Sequence, residues 1–293
     1  MSDEQYLLDP HLVESIPFGS SITARLLNDR IRETLVDTHN NDRNVSIVVR
    51  TFNEAAKLEQ LLEGIQRQVF SGQVEIVVVD NESIDRTAQV AKYYGAEIVT
   101  LPRNEFTYPR SMNLGVEAAS NDLVFLTVGH ARLSSTHSLH AGARHFIKKD
   151  VAGAFGTVLP NAGATYVERW GAAIDANRAL ARPATAIKKV TLGVLQGTGA
   201  MIAKAAWEEL GRFDERYQTG GEDTALARLM LSEGMKIVQE PALSVHHSHG
   251  LGLRDSIKQL LHQHKTLKAP RQFDREQLFE RRPDLRTNRS ASD

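Results

Sequence analysis

The first half of the chain alternates short apolar runs with helical stretches, and few folds accept such an alternation. Four runs rich in β-branched residues predict buried strands: VSIVV at 45–49, VEIVVV at 74–79, EIVTL at 97–101 and LVFLTV at 123–128. Segments with helical spacing separate these runs. Strands that alternate with helices form βαβ units around a mostly parallel sheet. We therefore predict an α/β fold with a Rossmann-like sheet flanked by helices.

Local signals predict where the elements after these strands begin and end. Asn53 is expected to cap the helix that follows the first strand, and Ser83 to cap a helix over 84–94. The stretch 160–190 has poor periodicity and is expected to carry a long loop. Apolar residues on one helical face predict an amphipathic helix over 251–268.

Composition excludes several classes of protein. The chain has 293 residues, no cysteine and a net charge of −1, so we expect no disulfide, no thiolate metal site and no nucleic-acid partner. No apolar run approaches the roughly 18 residues of a transmembrane helix. The acidic N-terminus lacks the pattern of a signal peptide. We therefore expect a cytoplasmic protein with no transmembrane segment.

The two ends of the chain carry opposite charge. Residues 1–44 hold eight acids and four bases, a net of −4, and residues 251–293 hold ten bases and six acids, a net of +4. We expect a helical N-terminal extension over 1–44, one domain over 45–250, and an amphipathic helix with a polar tail over 251–293. The charged ends could pair two copies in a homo-oligomer, or both could be solvated surfaces.

Polar residues follow each of the four predicted strands. The segments are TFNE at 51–54, DNES at 80–83, the loop 103–110 and VGH at 128–130. Ligands of open parallel sheets bind outside the carboxyl ends of the strands. These four segments therefore predict one ligand site at one edge of the sheet.

Several ordered motifs then indicate a family. The second strand ends in V-D-x-x-S-x-D-x-T at 79–87, and R-x-x-N-x-G follows at 110–115. ELGRFDE stands at 209–215 and GED at 221–223. With the T-x-N-E segment after the first strand, this series resembles family 2 glycosyltransferases with the GT-A fold, over roughly 45–250.

The resemblance implies a site for a UDP-, GDP- or dTDP-sugar donor. Thr51, Glu54 and Asp80 would contact the base and ribose, and a carboxylate can accept their N–H and hydroxyl protons. Arg110 would help to neutralise the diphosphate, or it is a helix-surface arginine. The residues assigned to donor binding are Thr51, Asn53, Glu54, Asp80, Ser83, Arg110, Asn113 and Gly129.

The fourth strand departs from the family pattern. Most members place Asp-x-Asp there to hold a divalent cation, whereas this chain has Val128, Gly129 and His130. Some members have Ser-Gly-His or Ser-Ala-His. His130 would then ligate a cation together with His247 and His249, or it would donate a hydrogen bond to a phosphate. Imidazole ligands favour Mn²⁺ over Mg²⁺, and Mg²⁺ is the alternative cation.

The resemblance also implies an inverting transfer of a sugar to a small molecule or a glycan. Asp223, beside Glu222, would be the base that removes the acceptor proton. The same two acids at a helix start could instead act as a cap.

Two other functions remain open. A non-catalytic protein could have kept the nucleotide-sugar pocket and lost turnover with the Asp-x-Asp motif. A sugar nucleotidyltransferase would need a phosphate loop rich in glycine and arginine after the first strand, and TFNEAAKLEQ contains neither residue.

Overall fold

The computed structural model describes residues 20–36, 43–161, 164–191 and 193–250, together with positions 254, 255, 258 and 261. Residues 1–19 of the expected N-terminal extension lie outside this part of the chain. So do most of the amphipathic helix expected over 251–268 and the polar tail after it.

Eleven strands form two sheets in the described part of the chain. They are β1 (Val45–Thr51), β2 (Val74–Asp80), β3 (Glu97–Thr100), β4 (Leu123–Val128), β5 (Arg132–Leu133), β6 (Val151–Phe155), β7 (Val158–Leu159), β8 (Thr185–Ala186), β9 (Ala200–Ala203), β10 (Lys236–Gln239) and β11 (Val245–His246). The large sheet has the order β3-β2-β1-β4-β9-β6-β10-β8, and the small one has the order β5-β11-β7.

The predicted parallel core of the large sheet is confirmed. β1 runs parallel to β2 and β4, and β2 runs parallel to β3. β9 is antiparallel to both β4 and β6, so the sheet is mixed beyond its first four strands. The register places Thr51 opposite Asp80 and Arg50 opposite Val128, so these three strands end together at one edge.

Helices cover both faces of the large sheet. They are α1 (Ser20–Val36), α2 (Ala55–Gln66), α3 (Thr87–Tyr93), α4 (Tyr108–Ala118), α5 (Ser138–Ala143), α6 (Tyr166–Leu180), α7 (Lys204–Glu209) and α8 (Glu222–Ser232). Successive residues of β1 point into different hydrophobic cores. Val48 lies in the same core as Met112 and Trp207, whereas Val49 lies in the core that contains Leu58 and Leu139. Both faces of β1 are therefore buried, which explains its unbroken apolar sequence.

The stretch 160–190, which was expected to carry a long loop, instead holds helix α6 over Tyr166–Leu180, which the sequence did not predict. Thr165 and Glu168 form a reciprocal capping box that begins this helix. Its sequence, YVERWGAAIDANRAL, spreads alanine and polar residues around the helix without one apolar stripe, so periodicity does not reveal it. α1 packs against its C-terminal part, where Leu27 and Ile31 meet Leu180.

The prediction that Asn53 and Ser83 cap helices is also wrong. Glu54 occupies the N-cap position of α2, and Asn53 has a left-handed backbone with φ of 51°. α3 begins at Thr87, after a loop that contains Ser83. Both side chains bond across loops instead: Asn53 Oδ1 accepts from the Ile84 N–H at 2.8 Å, and Ser83 Oγ accepts from the Asn53 N–H at 2.8 Å.

None of the described helices combines the length and the apolar composition that a membrane span requires.

A pair of glycine substitutions tests how tightly α4 packs on the sheet. A Cβ at Gly115 would overlap Cγ1 of Val48 and lie 3.0 Å from Val79 Cγ2. We expect Gly115→Ala to lower the free energy of unfolding by about 1–3 kcal/mol, the typical cost of overpacking a core. A Cβ built at Gly64 in α2 would have no atom within 4 Å. We therefore expect Gly64→Ala to raise the free energy of unfolding by about 0.5–1 kcal/mol.

Urea unfolding of both variants and of the wild type measures these changes in the free energy of unfolding. A Gly115→Ala protein as stable as wild type would show that α4 does not approach the sheet this closely.

Candidate functional site

A cavity of about 860 Å³ opens where β1, β2 and β4 end. The small sheet closes one side of it, and the start of α8 closes another. Seven of the residues singled out from the sequence line this cavity: Thr51, Glu54, His130, Glu222, Asp223, His247 and His249. Six others do not line it: Asn53, Asp80, Ser83, Arg110, Asn113 and Gly129.

The D-x-x-S-x-D-x-T motif holds the ends of β1 and β2 together. Asp80 is 5% exposed, and its carboxylate accepts from the hydroxyl and the N–H of Ser83 at 2.5 and 3.1 Å. Asp85 accepts from the backbone N–H of Ala55 at 3.2 Å, and Thr87 Oγ1 accepts from the N–H of Glu54 at 2.9 Å. These bonds fix the loop that carries Thr51 and Glu54 into the cavity.

Gly129 permits a close approach between this loop and the end of β4. A Cβ at Gly129 would lie 2.5 Å from Thr51 Oγ1 and 2.7 Å from Glu54 Oε2. Its N–H donates to the carbonyl of Arg50 at 3.0 Å. Any side chain at this position would push Glu54 away from His130.

The R-x-x-N motif joins α4 to the segment after α7. The side-chain amide of Asn113 donates to the carbonyl of Phe213 at 2.9 Å and accepts from its N–H at 3.0 Å. Arg110 pairs with Glu105 at 2.5 Å and approaches Glu215 at 3.7 Å. In this structure both side chains therefore have protein partners outside the cavity.

The small sheet brings three histidines together. β11 pairs antiparallel with β5, with His246 opposite Arg132, so the residues before β5 meet those after β11. Nε2 of His130 lies 2.9 Å from Nε2 of His247, and one ring nitrogen from each of His130, His247 and His249 lies within 4.8 Å of the others. His246 is buried, and its Nδ1 lies 2.8 Å from the carbonyl of Pro160.

Two carboxylates contact this cluster, and burial lowers the pKa of two of its rings. Glu54 Oε1 lies 2.6 Å from His130 Nδ1, and Glu168 accepts from the backbone N–H of His249 at 3.0 Å. Burial, together with the neighbouring histidines, lowers the pKa of His247 to about 3. Burial also lowers the pKa of His249. Both rings are therefore neutral at pH 7 and offer lone pairs.

Two acids line the cavity at the start of α8. Gly221, with φ of 108°, turns the chain into the helix, and Asp223 accepts from the Thr224 N–H at 2.6 Å. Burial, together with the neighbouring Asp223, raises the pKa of Glu222 to about 8. Burial likewise raises the pKa of Asp223.

The family model for glycosyl transferase family 2 matches residues 46–211, more than half of the chain. The chain belongs to this family. Its motifs and its central sheet, as described above, agree with that membership.

One curated relative of this glycosyltransferase is the O-antigen chain rhamnosyltransferase WbaN of Salmonella anatum. It is 26% identical over 224 residues, which cover 73% of this chain and 69% of that protein.

Two solved structures share the fold. The mannosyltransferase PcManGT of Pyrobaculum calidifontis, in complex with GDP-Man and Mn²⁺, aligns with a TM-score of 0.53 and 17% identity over 80% of this chain and 68% of its own. GalNAc-T7 with UDP, GalNAc and Mn²⁺ aligns with a TM-score of 0.56 and 14% identity over 71% of this chain and 44% of its own. At these identities the likeness establishes the GT-A fold.

Sequence reasoning missed two charged residues that line the glycosyltransferase cavity, Arg50 and Glu168. Arg50 is the sixth residue of β1, and its guanidinium lies 4.5 Å from the centre of the Tyr108 ring. The signal that could have identified Arg50 is its position as a single arginine inside an otherwise apolar strand. Glu168 was missed because α6 was not predicted, although T-x-x-E at 165–168 is a capping-box signature.

Proposed function

We propose that this glycosyltransferase moves a hexosyl group, with inversion, from a UDP-, GDP- or dTDP-sugar to a hydroxyl group of a small molecule or a glycan. One observation carries the proposal: three converging imidazoles and the acids Glu222 and Asp223 open onto the same cavity. The similar proteins include a rhamnosyltransferase and a mannosyltransferase in complex with GDP-Man, which supports a hexosyl donor.

The nucleotide of the donor is proposed to lie at the ends of β1 and β2. Thr51 lines the cavity there, and Asp80 offers a buried carboxylate one strand away, in register with Thr51. Base N–H groups or ribose hydroxyls are suitable donors to that carboxylate. In this proposal Asn53, Ser83, Asn113 and Gly129 serve the donor by holding these loops in place. Arg110 would reach the diphosphate only after release from Glu105.

The three imidazoles fit a divalent cation of the transition series. Their nitrogens converge, and burial keeps His247 neutral, as a metal ligand must be. Glu54 lies against Nδ1 of His130, as carboxylates do beside metal-binding histidines, and so would orient its ring. The proposed ligands are His130, His247 and His249, with Mn²⁺ preferred over Mg²⁺. A cation held there would neutralise the diphosphate of the donor.

Asp223 is proposed as the base, with Glu222 beside it. Its carboxylate takes the proton of the acceptor hydroxyl as the oxygen bonds to the anomeric carbon. The bond from that carbon to the phosphate oxygen breaks, and the nucleoside diphosphate leaves from the opposite face of the sugar. Burial of Asp223 raises its pKa, which strengthens it as a base once it is ionised.

Substitution of the base separates chemistry from donor binding. Asp223→Asn keeps the shape of the side chain but cannot accept a proton, so we expect kcat to fall by about 10²–10⁴. Affinity for nucleoside diphosphates, measured by calorimetry, should stay close to that of wild type. The matched control is Asp150→Asn, because Asp150 is an exposed acid paired with Lys236. More than a tenth of wild-type turnover in Asp223→Asn would exclude Asp223 as the base.

The identity of the required ion tests the histidine site. We expect activity to require a divalent cation, to prefer Mn²⁺ over Mg²⁺, and to fall in His247→Ala but not in the control His140→Ala. His130→Asp should raise activity with Mg²⁺, because it adds a hard oxygen ligand. Steady-state rates across a series of ions measure these effects, and full activity in excess chelator would contradict the cation site.

A further inference from the structure

The three histidines of the cluster are not held equally by the sheets. His130 lies in the short connection between β4 and β5, and the N–H of His247 donates to the carbonyl of Leu159 in β7 at 2.7 Å. β11 ends at His246, so His249 lies beyond the small sheet, where it is exposed. The backbone ladder of the small sheet therefore does not fix the third proposed ligand.

The carboxylate of Glu168 holds the backbone of His249. Glu168 Oε1 accepts from the His249 N–H at 3.0 Å, and Glu168 lines the cavity. In the described part of the chain, no other hydrogen bond holds the backbone of His249. A bond from a backbone N–H to a carboxylate is stronger than one between neutral groups. A side chain of α6 therefore sets the point from which the His249 ring extends.

The start of α6 fixes the direction of this carboxylate. Glu168 Oε2 accepts from the N–H of Thr165 at 2.9 Å and from its hydroxyl at 3.2 Å, and Thr165 Oγ1 accepts from the Glu168 N–H at 3.4 Å. A capping box needs one acceptor atom of the acidic side chain. Its other oxygen is then available for His249, so the same box that begins the helix also reaches the histidine cluster.

The segment that precedes α6 makes similar contacts with both halves of the cluster. The N–H of Asn161 donates to Ser248 Oγ at 3.3 Å, and its side-chain amide donates to the carbonyl of His130 at 3.3 Å. Asn161 thus joins the connection after β4 to the residues after β11. The contact of Glu168 with His249 continues this bracing one residue further along the chain.

We propose that Glu168 is a positioning residue that holds the backbone of His249 so that its imidazole joins those of His130 and His247 on a cation. This inference rests on the proposed cation site. Glu168 does not ligate the cation in this proposal, because it acts through His249. Loss of a group that orients a metal ligand typically lowers metal affinity by about 10–100-fold.

The first test is calorimetric titration of the full chain with Mn²⁺ alone. We expect Glu168→Ala to weaken Mn²⁺ binding by about tenfold or more. The matched control is Thr165→Ala, which removes the other side chain of the capping box and leaves the bond between Glu168 and His249. Its Mn²⁺ affinity should stay close to that of wild type, although the start of α6 is weakened.

A double-mutant cycle shows whether Glu168 acts through His249. His249→Ala should weaken Mn²⁺ binding because it removes a ligand. Glu168→Ala added to His249→Ala should cause little further loss, since the residue that Glu168 positions is already absent. A direct ligand would instead lower the affinity again in the double variant.

A second substitution guards against loss of the helix. Glu168→Gln keeps a residue type that capping boxes accept, but its one carbonyl oxygen replaces two carboxylate oxygens. It cannot accept from Thr165 and His249 as Glu168 does, so we expect weaker Mn²⁺ binding here too. Thermal melting shows which variants are folded.

Several results would overturn the proposal. They are wild-type Mn²⁺ affinity in folded Glu168→Ala or Glu168→Gln, an equal loss in Thr165→Ala, and fully additive losses in the double variant. A wild-type chain that binds no Mn²⁺ would instead refute the cation site on which the inference rests. The failure of the positioning role and the failure of the cation site are therefore distinguishable.

Discussion

The pairing of two short strands, β5 with β11, is the constraint on which the histidine cluster depends. Each strand has two residues, yet their antiparallel register brings His130 to within 2.9 Å of His247, 117 residues later in the chain. β7 extends the same small sheet on the other side of β11, and the carbonyl of its Leu159 accepts from the His247 N–H at 2.7 Å. The large sheet then supplies the opposite wall, so both sheets contribute to one cavity.

Burial sets the chemistry of that cavity. It keeps His247 neutral well below pH 7, and it raises the pKa of Glu222 to about 8, so this carboxyl holds its proton to a higher pH than a free side chain does. Arg50 adds a positive charge that opens onto the same cavity.

Sequence patterns predict the strands well and the site only in part. The β-branched runs reveal β1, β2, β3 and β4, because strands buried on both faces must be apolar throughout. Helix α6 escapes prediction, because its residues form no apolar stripe. Asn53 and Ser83 were expected to cap helices, but their side chains bond across two loops that only the folded sheet brings together. Arg50 is a single charge in an apolar strand, and the acids of α8 that line the same cavity lie far away in sequence.

The most direct test of the histidine site is pulsed electron paramagnetic resonance of Mn²⁺ bound to the full chain in the presence of nucleoside diphosphate. The account predicts nitrogen couplings from imidazole that change when histidine is labelled with ¹⁵N, and that weaken in His130→Ala and His247→Ala. A spectrum that shows couplings from water and phosphate alone, unchanged by labelled histidine, would contradict it.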